Sequence, residues 1–420
     1  MGKSTSNLYD VKPAKTQTPN APLAEYTAAN APLPTHPARF WYHHYINAGA
    51  MKSRLDDLIF MMFRHRQDSF YTCMQLHDLD KPWDTVVQFS RDRSHIASPV
   101  YYASLLGLDE VLYKLINICE EHGSEIRDLI NARGGSDGNA LQAASMKGHD
   151  KIVQILVDAG ADVNSQHELF GSPLRGASLR GYDKTVQILL DAGGDANIQS
   201  GYHKSALRAA SAEGHDKIVQ MLIDAGADAN AHGALQVASA EGHNRIVQIL
   251  IEAGADVNAH GVLRAASAGG HDKTVQILIE AGADANVYGV LRAASAGGHD
   301  RIVQMLIGAG GGAYIPSSYR NNALQAASAG GHDKIVRVLI DAGADINARG
   351  ALRAAAAGGH DKTVQILIDA GADVNAHYWY SDSAFMVASE RGHNKIVQML
   401  KDAGALNEEI SIGAKEERED

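Results

Sequence analysis

From Gly148 to Gly404 the chain repeats one phrase, written out in full at 148–164 as Gly-His-Asp-Lys-Ile-Val-Gln-Ile-Leu-Val-Asp-Ala-Gly-Ala-Asp-Val-Asn. Its Gly marker falls at 148, 181, 214, 242, 270, 298, 331, 359 and 392, with Tyr182 once replacing the His. Successive spacings are 33, 33, 28, 28, 28, 33, 28 and 33 residues. A fixed period in this range cannot build a globule around one centre. It builds an elongated stack in which each unit contacts only its neighbours.

The residues of one unit dictate its shape. Ile152, Val153, Ile155, Leu156 and Ala159 fall on one apolar stripe at helical spacing. Asp150 stands where a helix favours an acid, at its positive end, and Gly160 where a left-handed residue ends it. The preceding stretch, from Ala140 to Lys147, reads as a shorter helix rich in Ala and Ser, whose small side chains permit close approach. Gly148 ends that helix and the next begins at once. Neither helix alone can bury its stripe, so the copies are predicted to share one long core.

This unit resembles the ankyrin repeat, a turn and two helices in 33 residues with a T-P-L-H-x-A signature. The resemblance covers about three quarters of the chain. The signature is altered: only Ser98-Pro99 and Ser172-Pro173 keep a hydroxyl-Pro start, and Gln142, Arg175, Arg208, Gln236, Arg264, Arg292, Gln325, Arg353 and Met386 stand at its His position. The phrase Ala-Leu-Gln-Ala-Ala-Ser, and the opening unit from Ser98 to Leu108, resemble the arrays of fungal NOD-like (NACHT–ankyrin) proteins. No nucleotide-binding module occurs in the 420 residues, so nucleotide-driven switching is not implied. The resemblance implies an all-α solenoid of about ten repeats and a recognition or adaptor role.

Composition narrows the function. A net charge of −11 argues against nucleic-acid binding, which depends on a basic surface. Two cysteines, Cys73 and Cys119, are too few for a disulfide framework and fit a reducing compartment. Residues 1–10 are polar, unlike a secretory signal, and the apolar run from Leu58 to Phe63 is too short to cross a bilayer. The expected location is the cytoplasm, with the nucleus and the membrane surface also compatible.

Four regions are expected. Residues 1–38 hold six of the ten prolines and read as a disordered arm. Residues 39–95 are not repeat-like; Leu55, Leu58, Ile59, Met62 and Phe63 predict an amphipathic helix, with Trp41 and Trp83 as anchors, in a helical cap over the open end of the stack. Residues 96–406 form the solenoid, and 407–420 an acidic tail.

The shortened units carry the functional expectation. Their five missing residues map to the hairpin finger between repeats, not to either helix. Full fingers are expected at 165–172, 198–205, 311–322 and 377–383, and short ones at 231–233, 259–261, 287–289 and 348–350. Three short fingers in succession predict a notch on the order of 30 Å long. His232, His260 and Tyr288 would form its floor with Gln236, Arg264 and Arg292 beside them, and Phe170, Tyr202, Tyr314, Tyr319, Tyr378, Trp379 and Tyr380 would stand on the taller fingers. Aromatics on protruding loops favour a protein or peptide partner. Neutral loss of hairpin tips explains the same spacing without function.

Other chemistry finds less support. The arginine rungs suit carboxylate or phosphate, or carbonyls of adjacent repeats. The Gly-His histidines recur with the turn and are spread along the rod, which points to structure rather than metal. No nucleophile elbow, H-E-x-x-H, zinc-type Cys spacing or dinucleotide fingerprint occurs, so no cofactor and no metal are expected. Gly2-Lys3-Ser4-Thr5 imitates the end of a P-loop but lacks its upstream glycine and strand. Catalysis or small-molecule binding would have to use a pocket in the notch, with His232, His260 and Tyr288 as acid and base. Gly2 with Ser6 fits the myristoylation pattern, a weak membrane anchor by itself. Oligomeric state is not encoded in any of these features.

Overall fold

The computed structural model describes residues 45, 47–65, 97–121, 126–135, 138–168, 171–199, 205–309, 315–376 and 383–406. They form paired helices, from Pro99–Leu106 with Asp109–Glu121 to Ala384–Glu390 with Asn394–Asp402. Each first helix packs on the first helices of adjacent repeats, and each second helix on its counterparts, giving two rows around one continuous core. Among the described residues the only strand-like pairing is a single antiparallel bridge, His167 to Gly171. The chain is therefore an all-α repeat solenoid.

The amphipathic stripe decides which side faces inward. In Asp150–Asp158, Ile152, Val153 and Leu156 are buried, and Ile218, Val219 and Leu222 take the same places in Asp216–Asp224. Burying each such side chain stabilises by about 1.5–3 kcal/mol. The first helices bury small residues beside a leading leucine: Leu141, Ala143, Ala144 and Ser145 in Ala140–Lys147, and Leu263, Ala266 and Ser267 in Val262–Gly269. Gly148, at φ 69°, closes the first helix in the left-handed region that favours glycine.

Three side-chain columns tie one repeat to the next. In the first, the Gly-His imidazole reaches back one repeat: Nε2 of His243, His271 and His360 lies 3.2, 2.8 and 2.9 Å from the carbonyl oxygens of Ala212, Ala240 and Ala329. In the second, the asparagine ending each phrase bridges forward. The Asn164 amide donates to the Gly193 carbonyl at 3.1 Å, and its oxygen accepts from the Asp195 N–H at 2.8 Å. Asn197, Asn230 and Asn258 repeat this. In the third, the first-turn acid of a second helix pairs with a cation of the next repeat, as in Asp183–Lys217 (2.9 Å) and Asp361–Lys395 (2.8 Å).

The buried side-chain oxygen of Asn286 has no hydrogen-bond partner among the described residues, and the stretch that follows in the column, 310–314, lies outside them. The next repeat reads Gly310-Gly311-Gly312 where most others have Gly-Ala-Asp, with Gly-Gly-Asp at 193–195 and Gly-Ala-Leu at 404–406. Beyond that stretch the column draws on a different place. The following first helix starts early, at Ser317, and runs to Gly330, which brings Asn321 in to accept the Asp345 N–H at 2.9 Å. Residues 317–322, expected on a finger, are therefore helix.

At the N-terminal end, Lys52–His65 packs on Asp109–Glu121, burying Ile59 and Phe63 while Leu58 stays exposed. Lys114 pairs with Asp57 across this contact, and that hydrogen bond raises the lysine pKa. The arm at 1–38, Trp41, Trp83, Cys73 and the tail at 407–420 lie outside the described residues.

Candidate interaction surface

The shortened units lose more than a loop. Where the finger is full, a side chain caps the first helix: Ser172 accepts from the Arg175 N–H, Ser205 from the Arg208 N–H and Ser383 from the Met386 N–H. Asn139 makes a reciprocal capping box with Gln142. In the short units the cap position is Gly233, Gly261, Gly289 or Gly350, all left-handed and without a side-chain cap. The loop between repeats is reduced to a tight turn, a single 3-10 turn at Ala231–Gly233. Two non-glycine residues, His232 (φ 58°) and Arg349 (φ 57°), are held in the left-handed region to make it. The sequence signal is Ser-x-Leu-Arg at 172–175 and 205–208 against Gly-x-Leu-Gln at 233–236 and Gly-x-Leu-Arg at 261–264, 289–292 and 350–353, across the start of the first helix.

The residues at and beside these turns fall on one side of the first-helix row. His260, Arg264, Tyr288 and Arg292 are exposed, while His232 and Gln236 are half-buried. The His232 Nε2 is buried and without a hydrogen-bond partner among the described residues. Gln236 reaches towards the next turn, since a β-carbon built on Gly261 would fall 2.6 Å from its Nε2. Arg264 lies in the same way beneath Gly289 at 3.8 Å. Tyr288 is 67% exposed and meets the Tyr319 ring edge-on, with centroids 5.4 Å apart. Tyr319 sits half-buried on the lengthened helix, not on a loop tip as expected. Beside the pair lies a hollow of about 10 Å³ lined in part by Val287, Leu291, Arg292 and Ile315. That is room for about one water molecule. Neither His232 nor His260 lines it. Phe170, Tyr202, Tyr314, Tyr378, Trp379 and Tyr380 lie outside the described residues, as does Gly2.

The rungs at the altered signature position divide into two kinds. Gln142 is buried and donates to the Gly171 carbonyl at 2.7 Å, locking adjacent repeats. Arg175 is 5% exposed; burial, with Arg208 nearby, pushes its pKa down to about 10. Arg264 and Arg292, by contrast, make no hydrogen bond or ion pair with any described residue. A larger polar recess of about 460 Å³ opens at the first finger, lined by residues such as Asn131, Asn139 and Asn164. Those side chains are already engaged: Asn139 donates to Ser165 at 2.9 Å, Asn131 accepts the Asp162 N–H and Asn164 donates to the Gly193 carbonyl of the next repeat. Among the described residues no three His, Cys, Asp or Glu side chains group as metal ligands would, and no helix is long and apolar enough to cross a membrane.

Models for ankyrin repeats match residues 138–168, 174–260, 262–350 and 349–378, together more than half of the chain. The chain belongs to the ankyrin-repeat family. Ankyrin repeats generally mediate protein–protein interaction. A curated relative, azaphilone pigments biosynthesis cluster protein L of Monascus ruber, is 40% identical over 134 residues, 31% of this chain and 28% of the relative. The chain thus spans well under half of the relative that it matches. Among solved structures, the ankyrin repeat domain of Bcl-3, a member of the IkappaB family, is similar over 50% of this chain and 97% of that domain, at 24% identity and a TM-score of 0.44.

Proposed function

We propose that this ankyrin array is a non-catalytic binding scaffold whose partner, a protein or peptide, docks on the concave face at the run of short turns from Ala231 to Gly289. The observation that carries the reading is the surface left by the missing fingers. Three consecutive turns bear His232, His260 and Tyr288, and beside them Arg264 and Arg292 are exposed and unpaired among the described residues. Exposed Tyr and Arg side chains are the types that most often anchor interfaces. A surface-binding role is favoured over catalysis because the hollow at Tyr288 is water-sized and excludes both histidines. A receptor or adaptor working in the cytoplasm or nucleus accords with this chemistry.

The test is affinity purification with the full chain, a R264A/R292A variant and a variant in which the short turns are restored to full fingers. Both altered forms should lose the partner while the double substitution leaves the thermal midpoint unchanged. Capture that survives both changes would overturn the docking surface.

A further inference from the structure

The chemistry of the partner is written in the charge of the first-helix row. The chain carries a net charge of −11, yet its four first helices from Val262 to Gly358 contain no Asp or Glu at all. They contain Arg264, Arg292, Arg320 and Arg353. Arg320 is committed to the Ile315 carbonyl at 2.9 Å. Arg264 and Arg292 are not committed. They occupy the same position on adjacent repeats, about 10 Å apart by ordinary helix spacing. The nearest acids of the loop row, Asp256 and Asp284, accept the backbone N–H groups of Asn258 and Asn286 at 2.9 and 2.8 Å.

We infer that the segment received at the notch is an extended acidic peptide presenting two carboxylates about three residues apart to Arg264 and Arg292, an inference that rests on the notch being the docking surface. The spacing follows from a rise of about 3.3 Å per residue in an extended chain. A guanidinium takes a carboxylate through two parallel N–H donors, which fixes register as well as sign. Tyr288, 67% exposed, with Val287, 42% exposed, supplies apolar area between the two cations. A phosphate backbone fits less well: its charge is continuous and must pass the exposed Asp228, Asp256 and Asp284 of the loop row, whereas a peptide with two spaced carboxylates can set neutral residues against them.

The probe is a randomised twelve-residue peptide library displayed on phage, selected on the full chain and counter-selected on the restored-finger variant. Enriched sequences should carry Asp or Glu at two positions about three apart. Their synthetic forms should bind at least about tenfold more weakly to R264Q/R292Q and weaken steeply as salt rises. Enriched neutral or basic peptides that the restored fingers block would overturn the acidic class and leave the docking surface standing. No peptide blocked by the restored fingers would overturn both. Stronger binding of single-stranded RNA than of any enriched peptide would overturn the acidic-peptide assignment.

Discussion

His271 stands against Gly242 of the preceding repeat so closely that a β-carbon on the glycine would fall 2.4 Å from the imidazole Nδ1. The same ring points its Nε2 at the Ala240 carbonyl, 2.8 Å away. Glycine is thus required there twice, for its φ of 73° and for the space that the histidine fills. Gly242→Ala should destabilise by about 2 kcal/mol or more, combining left-handed strain with a displaced hydrogen bond. His271→Ala alone should cost about 1 kcal/mol. The double variant should be less destabilised than the sum, since the glycine clash vanishes with the ring. Urea denaturation of the four proteins checks this, and strict additivity would refute the steric account.

The first histidine of the column couples stability to pH. Burial lowers the His149 pKa below its ordinary 6.5, although its bond to the Leu105 carbonyl partly opposes the shift. The folded state therefore prefers the neutral ring, and the unfolded chain binds more protons as pH falls through 6.5. Stability contributed by neutral His149 is present above 6.5 and is lost below it. Tyr182 holds the equivalent position one repeat on. His149→Tyr should accordingly flatten the fall in denaturation midpoint between pH 7.5 and 5.5. An unchanged slope would refute it.

A buried column of hydroxyls runs along the first helices. Ser145, Ser178, Ser211, Ser239, Ser267, Ser295 and Ser328 are fully buried, and their Oγ atoms have no hydrogen-bond partner among the described residues, whereas Ser104 and Ser389 at the same place donate to the Val100 and Phe385 carbonyls at 2.8 and 2.9 Å. Ala356 takes the same place in its own repeat. Ser267→Ala and Ser295→Ala should each raise stability by about 1 kcal/mol, because an unmet buried polar group is removed. A lower thermal midpoint in either would show that these hydroxyls are satisfied.

Removing a cap from a full repeat and adding a capping residue to a short one should both destabilise, for different reasons. Ser205→Ala removes the acceptor of the Arg208 N–H and should cost about 1 kcal/mol. Gly261→Ser, though it restores the capping residue type, should also destabilise. Its backbone is left-handed at φ 83°, and the new β-carbon would meet the Gln236 amide. Thermal melts of the two variants decide it, and a stabilised Gly261→Ser would show that the turn can reorganise.

The repeat, its two helices and their buried stripes were legible because each depends on local periodicity that every copy restates. Ile152, Val153 and Leu156 announce their burial by spacing alone. The missing five residues were legible as a subtraction, and with them the places of His232, His260 and Tyr288 in the tight turns. What the spacing could not convey was which rungs are engaged. Arg175 and Arg264 share one position in the phrase, yet one is buried beside Arg208 and the other exposed beneath Gly289. The difference comes from the neighbouring repeat, and one repeat's residues do not describe its neighbour's loop. Tyr319 differs from its expected place because the chain is helix from Ser317 on, and from that helix Asn321 accepts the Asp345 N–H. Sequence by itself determined the unit and its stacking, since both follow from apolar spacing within one copy. The tertiary structure decided which side chains the stack engages and which it leaves exposed, because contacts between copies depend on loop lengths and substitutions that no single copy contains.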